Sequence, residues 1–241
     1  MALNFLDLTN RTLRRFGSKE AVSATFETTT DPEIKLAKDS VNDAIQDINM
    51  YEWSWPFNVT TAEITMVAGT QEYATSADTK YVDLDTVMLK KNDALSVGER
   101  WLKPIDFDEY TKTFAQRDGD ATSSDYAVPE RVFTYPNGNL GFTPRPNQAY
   151  TVRYTKYLYP VELTAATDTT LIPDAFGQVI INGACWYLNS KRGNENQAAM
   201  FEQKFKIGVS RMRSILTNSY PRVKDTRLSA NSGSIGFVRV T

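Results

Sequence analysis

Helical periodicity in this chain is cut in two. One amphipathic stretch runs from Asp31 to Tyr51 and a second from Asp174 to Leu216, and between them the period changes to two from Val59, broken by turns. Two half-bundles this far apart in sequence share a core only if the two ends of the chain meet in space. The pattern therefore describes a helical platform carrying a β insertion, a shape that suits an assembly component better than a catalyst.

The helical signals are specific. Phe5, Leu6, Leu13 and Phe16 fall near one face of a first helix over Asn4–Phe16, Arg11, Arg14 and Arg15 point elsewhere, and Gly17 supplies a left-handed stop. Residues 18–30 read as a short strand or an extended link. Asp31 can cap the orphan N–H groups of the next helix, with Pro32 at its first position and Glu33 at the positive end of the dipole. Ile34, Ala37, Val41, Ala44, Ile45 and Ile48 then form the apolar stripe, and Pro56 closes the segment. On the return, Pro173 and Asp174 start a helix that ends at Gly193. Gly177 and Gly183 thin it where another backbone is expected to come close. Asn194 with Gln197 offers a capping pair for the last helix, which Pro221 ends.

Between these helices the strand candidates are VTTAEITMV, KYVDLDTVML, ERWLKPIDF, ERVFTYP, NLGFTP and YTVRYTKYLYP. Asn137-Gly138 marks a hairpin, because both central residues must tolerate positive φ. Residues 106–114 read as a helical turn or more, and 115–127, small and polar, as a mobile loop. The fold class expected is α+β: a discontinuous α-helical bundle (1–57 plus 171–221), an inserted antiparallel β domain (58–170) and an extended C-terminal arm (222–241). The arm carries Arg222, Lys224 and Arg227 and is rich in Ser and Gly, but it finishes in the β-like patch Ile235, Gly236, Phe237, Val238, Arg239, Val240. A polar arm with an adhesive tip is the form of a segment that orders on a partner.

Composition narrows the function. The 241 residues include no histidine and one cysteine, Cys185. Without histidine the Ser-His-Asp and Cys-His nucleophilic arrangements and most zinc sites fall away, and a lone Cys within the apolar run 179–188 reads as a buried thiol. No catalytic, metal or cofactor site is expected. A formal charge of -2 gives no basic excess to neutralise phosphates. No apolar run reaches the roughly 20 residues that span a bilayer. The N-terminus places its basic residues after its apolar ones, unlike a secretory signal, so a cytoplasmic site of synthesis and no membrane partner are expected.

Three groups of residues invite a functional reading. Asp83 with Asp85, and Asp106 with Asp108 and Glu109, are paired carboxylates, although a solvated strand face explains them as well. RDGDATSSD (117–125) has Asp spacing like a calcium loop but lacks its twelfth-position Glu and its glycine placement. Tyr51, Trp53, Trp55 and Phe57 are expected to form the core of the domain junction, with Trp53, Trp55 and Phe57 on one inward strand face. Of the basic clusters, Arg11, Arg14 and Arg15 are the expected contact with a neighbouring subunit or another partner protein, and Arg222, Lys224, Arg227, Ile235, Phe237, Val238, Arg239 and Val240 the expected partner contact of the arm.

The order of these pieces resembles the head-to-tail connector (adaptor) proteins of tailed bacteriophages, especially the tail tubular protein A family of short-tailed phages. The residues that carry the resemblance are FLDLTNRTLRRFG at the start and AKDSVNDAIQDINMYEWSWPFN, a helix ending in a Trp-Pro-Phe-Asn corner. With them go YPNGNLGFTPRPNQAYTVRYTKYLYP, a hairpin into a Tyr-rich strand, and the two return helices of IPDAFGQVIINGACWYLNSKRGNENQAAMFEQKFKIGVSRM. The resemblance implies a non-enzymatic virion protein at the head–tail interface. It implies a ring, typically a dodecamer, below the portal protein, with a C-terminal arm reaching the portal and a β domain facing the tail nozzle. Double-stranded DNA would pass through the lumen without sequence-specific binding. The β insertion is bulkier than in the smallest members, which leaves the tier of the ring open.

Two readings compete with it. A carbohydrate-binding or glycan-cleaving tail component would use exposed aromatics such as Trp53 and Trp55 with Asp83 and Asp85. A nucleic-acid binder would use a small barrel in the β insertion, against the near-zero net charge.

Overall fold

The computed structural model describes residues 3–91 and 98–217. It has the α+β architecture: helices from both ends of the chain form one layer, and two small sheets built from the middle form the rest. Helix α1 (Phe5–Phe16) is capped by Asn4, whose side-chain oxygen accepts from the Asp7 N–H at 2.7 Å, and it stops at Gly17 with φ 72°. Helix α2 (Pro32–Tyr51) starts as its sequence dictates, with Asp31 accepting from the Glu33 N–H at 2.9 Å. The segment between them makes a single 3-10 turn at Ser23–Thr25 rather than a strand.

The insertion begins with strand β1 (Val59–Thr65), followed by β2 (Glu72–Tyr73), β3 (Thr79–Leu89), β4 (Arg100–Trp101) and β5 (Lys103–Pro104). Helices α3 (Phe107–Thr113) and α4 (Ala115–Asp120) precede β6 (Arg131–Thr134), β7 (Leu140–Thr143) and β8 (Thr151–Leu158). One sheet has the order β1-β8-β3-β4 and the other β2-β7-β6-β5. All pairs are antiparallel except β5 with β6, which is parallel. The ERWLKPIDF segment is two short strands, not one: the chain leaves the first sheet at β4 and joins the second at β5. Buried Leu102 lies between them and donates its N–H to the Val87 carbonyl at 2.9 Å. The Asn137-Gly138 hairpin joins β6 to β7, with Gly138 at φ 86°.

Residues from the two sheets meet in one buried cluster that includes Met66, Val87, Leu89, Val132, Phe142 and Val152. The helical layer has its own core, in which Phe5 and Leu8 of α1 and Val41 and Ile48 of α2 pack with the return helices α5 (Gly177–Lys191) and α6 (Glu195–Leu216). The glycine at 183 is needed for that packing. A Cβ there would lie 2.8 Å from the Ala44 Cβ and 2.9 Å from the Phe205 ring. So α5 passes between α2 and α6 at side-chain distance. Asn194 precedes α6, but its side chain makes no capping bond. Gly193 at φ 73° turns the chain instead, and the Asn194 N–H donates to the Asn189 carbonyl at 3.0 Å.

The segment 115–127 is ordered against the insertion. Asp118 is buried and receives hydrogen bonds from Arg117 at 2.9 Å and Gln71 at 3.0 Å, which hold α4 in place. Its small polar composition suggested a loop, and the pairing partner that fixes it lies 47 residues away.

Candidate interaction surface

The junction between helices and sheets is where the aromatic cluster was expected, and the structure divides that cluster. Trp55 is fully buried, donates its indole N–H to the Ile48 carbonyl at 2.6 Å and stacks on Phe57, which is half-buried. Trp53 is 46% exposed and Tyr51 52% exposed, so neither is a core residue. The segment from Glu52 is a turn followed by a 3-10 turn at Pro56–Asn58, so a spacing of two does not place Trp53 on the face of Trp55. Trp53 stacks instead on Tyr81 of β3 at 6.0 Å between ring centroids, and Tyr81 on Tyr157 of β8 at 4.5 Å.

The locks at the junction are polar. Lys80 of β3, nearly buried, donates to the Asn49 carbonyl at 2.6 Å and lies 4.3 Å from the Trp53 ring. An ammonium placed at the last turn of α2 meets the negative end of that helix and its unpaired carbonyls. Burial lowers the Lys80 pKa, and the nearby Glu52 carboxylate opposes that shift. Glu52 in turn holds Arg213, in the last turn of α6, at 2.7 Å. On the other side, Asn42 of α2 grips the returning chain at both ends of its amide. It accepts from the Leu163 N–H at 3.1 Å and donates to the Leu163 carbonyl at 3.0 Å. None of these polar contacts stood out in the sequence, because each joins residues that are far apart along the chain or carry no local signature.

The arginine face of α1 is partly engaged. Arg11 is exposed, Arg14 pairs with Glu20 at 3.3 Å, and Arg15 donates to Asn182 and Gln178 of α5, each at 2.7 Å. Gln178 and Asn182 also border an open groove of about 500 Å³ between α5 and the second half of α6. Val179, Ile207, Met212 and Ile215 give that groove an apolar floor, and Lys204 and Arg211 stand at its rim. Arg222, Lys224, Arg227, Ile235, Phe237, Val238, Arg239 and Val240 lie outside the described residues.

Among the described residues, strand β1 is an open edge of its sheet. It pairs with β8 in unbroken register over seven residues, from Val59 opposite Tyr157 to Thr65 opposite Thr151. Just past its end the Met66 N–H donates to the Tyr150 carbonyl at 2.6 Å. In an antiparallel ladder such pairs recur every second residue. The even positions of β1 therefore bond to β8, and Val59, Thr61, Glu63 and Thr65 point their N–H and C=O groups away from the sheet. The far side of β8 agrees, since Thr151 accepts from the Lys90 N–H at 2.9 Å and so serves the β3 side. Alternation along VTTAEIT was legible in the sequence; its position at the edge was not, because that depends on which strand lies beside it.

The candidate catalytic groups are not assembled. A β-bulge between Asp83 and Met88 breaks the alternation that would align Asp83 with Asp85, and Asp83 accepts from the Asp85 N–H at 3.2 Å. Asp108 and Glu109 sit in the first turn of α3, where the helix dipole favours carboxylates. Among the described residues, no group of three or more Cys, Asp or Glu could hold a metal ion. Within the 117–125 stretch, Asp118 is consumed by Arg117 and Gln71, and Asp125 by the backbone and hydroxyl of Thr122, which lower its pKa. The Cys185 thiol is buried, and burial pushes its pKa up to about 11. That makes it a poor nucleophile at neutral pH.

Among the described residues no helix is long and apolar enough to cross a membrane. The chain belongs to the SU10 adaptor protein family, whose pattern matches residues 3–231, nearly its whole length. It is thus a bacteriophage adaptor protein, a structural component of the virion. No curated protein matches it significantly.

Proposed function

We propose that this chain is the subunit of a head-to-tail adaptor ring, of the tail tubular protein A kind, that joins the portal protein to the downstream tail or nozzle protein. The observation that carries the reading is the adaptor-family match across residues 3–231. The platform of residues 1–57 and 171–221 packs copy against copy, with Arg11, Arg14 and Arg15 at a neighbour or at the portal. The insertion of 58–170 faces the tail, and the arm of 222–241 contacts a partner. A ring, dodecameric in this reading, leaves a lumen for double-stranded DNA. A chain of net charge -2 lets DNA pass without gripping it, since strong backbone binding needs a basic excess.

A ring requires a heterologous interface that closes by rotation. Negative-stain microscopy and light scattering on the purified chain, alone and mixed with the cognate portal, test it. Rings of uniform diameter are expected under one or both conditions. A strict monomer in both, at high concentration, overturns the reading. The glycan-binding alternative loses half of its expected platform, because Trp55 is sealed in the core.

A further inference from the structure

We infer that the open edge of β1 is a strand-addition site, and that its occupant is the C-terminal segment Ile235–Val240 of a neighbouring copy. The inference rests on the ring reading and names the surface that the arm would use.

Native sheets protect their edges by short strands, bulges, prolines or edge lysines. Strand β1 has none of these over its seven residues, whose one charge is Glu63. Its four outward positions, Val59, Thr61, Glu63 and Thr65, are exposed. The other edge strands of the two sheets, β2, β4 and β5, have two residues each. An edge pairing of β1 with the β1 of a second copy is self-complementary, so it closes a pair and cannot propagate around a ring. The strand that completes β1 in a ring must come from elsewhere.

The sequence offers Ile235–Val240. It is β-branched and aromatic, and it has no proline and one charge, Arg239. Laid beside β1 with Val238 and Val240 next to core-facing Ala62 and Ile64, it brings Arg239 to the face that carries Glu63. Glu63 already pairs with Lys90 at 3.0 Å, so Arg239 would join an exposed ion pair and set register more than affinity. The reach is sufficient. Arg213 ties the last turn of α6 to Glu52, at the corner from which β1 starts. Between Thr217 and Ser234 the sequence has 16 residues (218–233), which extend to about 50 Å.

Amide hydrogen exchange on the full chain, read at Thr61, Glu63 and Thr65, tests this in three proteins: native, Phe237→Asp/Val238→Asp, and Thr61→Pro. The proline removes an outward N–H and leaves the β8 ladder its donors, so this variant should keep its circular dichroism while losing assembly. Protection of the three amides in the native chain should rise with protein concentration. It should exceed that in the Asp variant by about tenfold or more. Equal exchange in native and Asp proteins overturns the inference. So does protection that is independent of concentration, which makes the occupant the chain's own tail, and so does protection that the portal induces equally in the Asp variant, which makes it the portal's strand. Rings that form normally from the Asp variant also overturn it and leave the ring reading intact. A native chain that forms no ring, alone or with portal, sinks that reading first.

Discussion

Replacing Asn42 by alanine tests the seam that returns the chain from the insertion to the platform. The Asn42 amide makes two hydrogen bonds with the backbone of Leu163, and both residues are buried. Truncation leaves the Leu163 N–H and C=O without partners, at about 1–3 kcal/mol for each orphaned group. A solvent-open cleft of about 330 Å³, lined by Lys38, Asp39, Asn42 and Leu163, lies alongside. Water can enter the space left by the amide, so the lower part of that range applies, roughly 2–3 kcal/mol in total. For a chain of this size the melting temperature falls by about 2–4 °C per kcal/mol, so a drop of about 4–12 °C is expected by scanning calorimetry. Asn42→Asp sharpens the test. It keeps the acceptor for the Leu163 N–H but turns a carboxylate oxygen toward the Leu163 carbonyl. At neutral pH it should cost at least as much as alanine, and part of the loss should return as acid protonates the new side chain and restores a donor. A fall of less than about 2 °C for Asn42→Ala would refute the claim that this amide holds the seam.

Gly183→Ala should lower the urea midpoint, because the new methyl overlaps Ala44 and Phe205. Overpacking costs about 1–3 kcal/mol, against a gain of up to about 1 kcal/mol in helix propensity; an unchanged or raised midpoint refutes the close packing of α5. Cys185 should resist alkylation at neutral pH in the folded chain and react fully in denaturant. Its pKa is raised from an ordinary 9.0 to about 11, so its contribution to stability is fully present below about pH 9 and is lost as pH rises through about 11. Cys185→Ala should weaken that pH dependence in equilibrium denaturation; an identical profile refutes it.

What the sequence disclosed was whatever is written locally. Asp31 caps its helix because a short side-chain oxygen reaches an N–H two residues on, and Gly17, Gly138 and Gly193 turn the chain where positive φ is required. The split of helical and strand periods held for the same reason. What it concealed depends on the partner that a residue meets. Trp53 and Trp55 share type and spacing, yet one lies at the surface and the other in the core, since the chain between them turns. Asn194 has the residue type of a cap but not the bond, because Gly193 already redirects the chain. Lys80 reads as a polar residue at a strand end, and only the approach of α2 makes it a buried helix cap. The open side of β1 is the extreme case. Its sequence alternates like that of its neighbours, and only the pairing shows that, among the described residues, no strand lies on its far side.

The same corner couples these parts. Glu52 follows the last residue of α2, receives Arg213 from the end of α6, and stands within the field of Lys80 on β3. One carboxylate thus links the platform, the insertion and the start of the arm. Arg213 and Lys80 are both cations, so removing Glu52 takes away a shared counter-charge and leaves the two ammonium and guanidinium groups to repel. The ion pair with Arg213 is worth little to folding, because the guanidinium is more than half exposed. Its mechanical effect differs from its energetic one. It ties the last turn of α6 to the end of α2, and a segment that must find an edge on a neighbouring copy binds more tightly when its origin is held. Glu52→Gln should therefore lower the melting temperature, since buried Lys80 loses its counter-charge, and should weaken self-association measured by light scattering across a concentration series. If association is untouched, the orientation of α6 at that corner has no part in assembly.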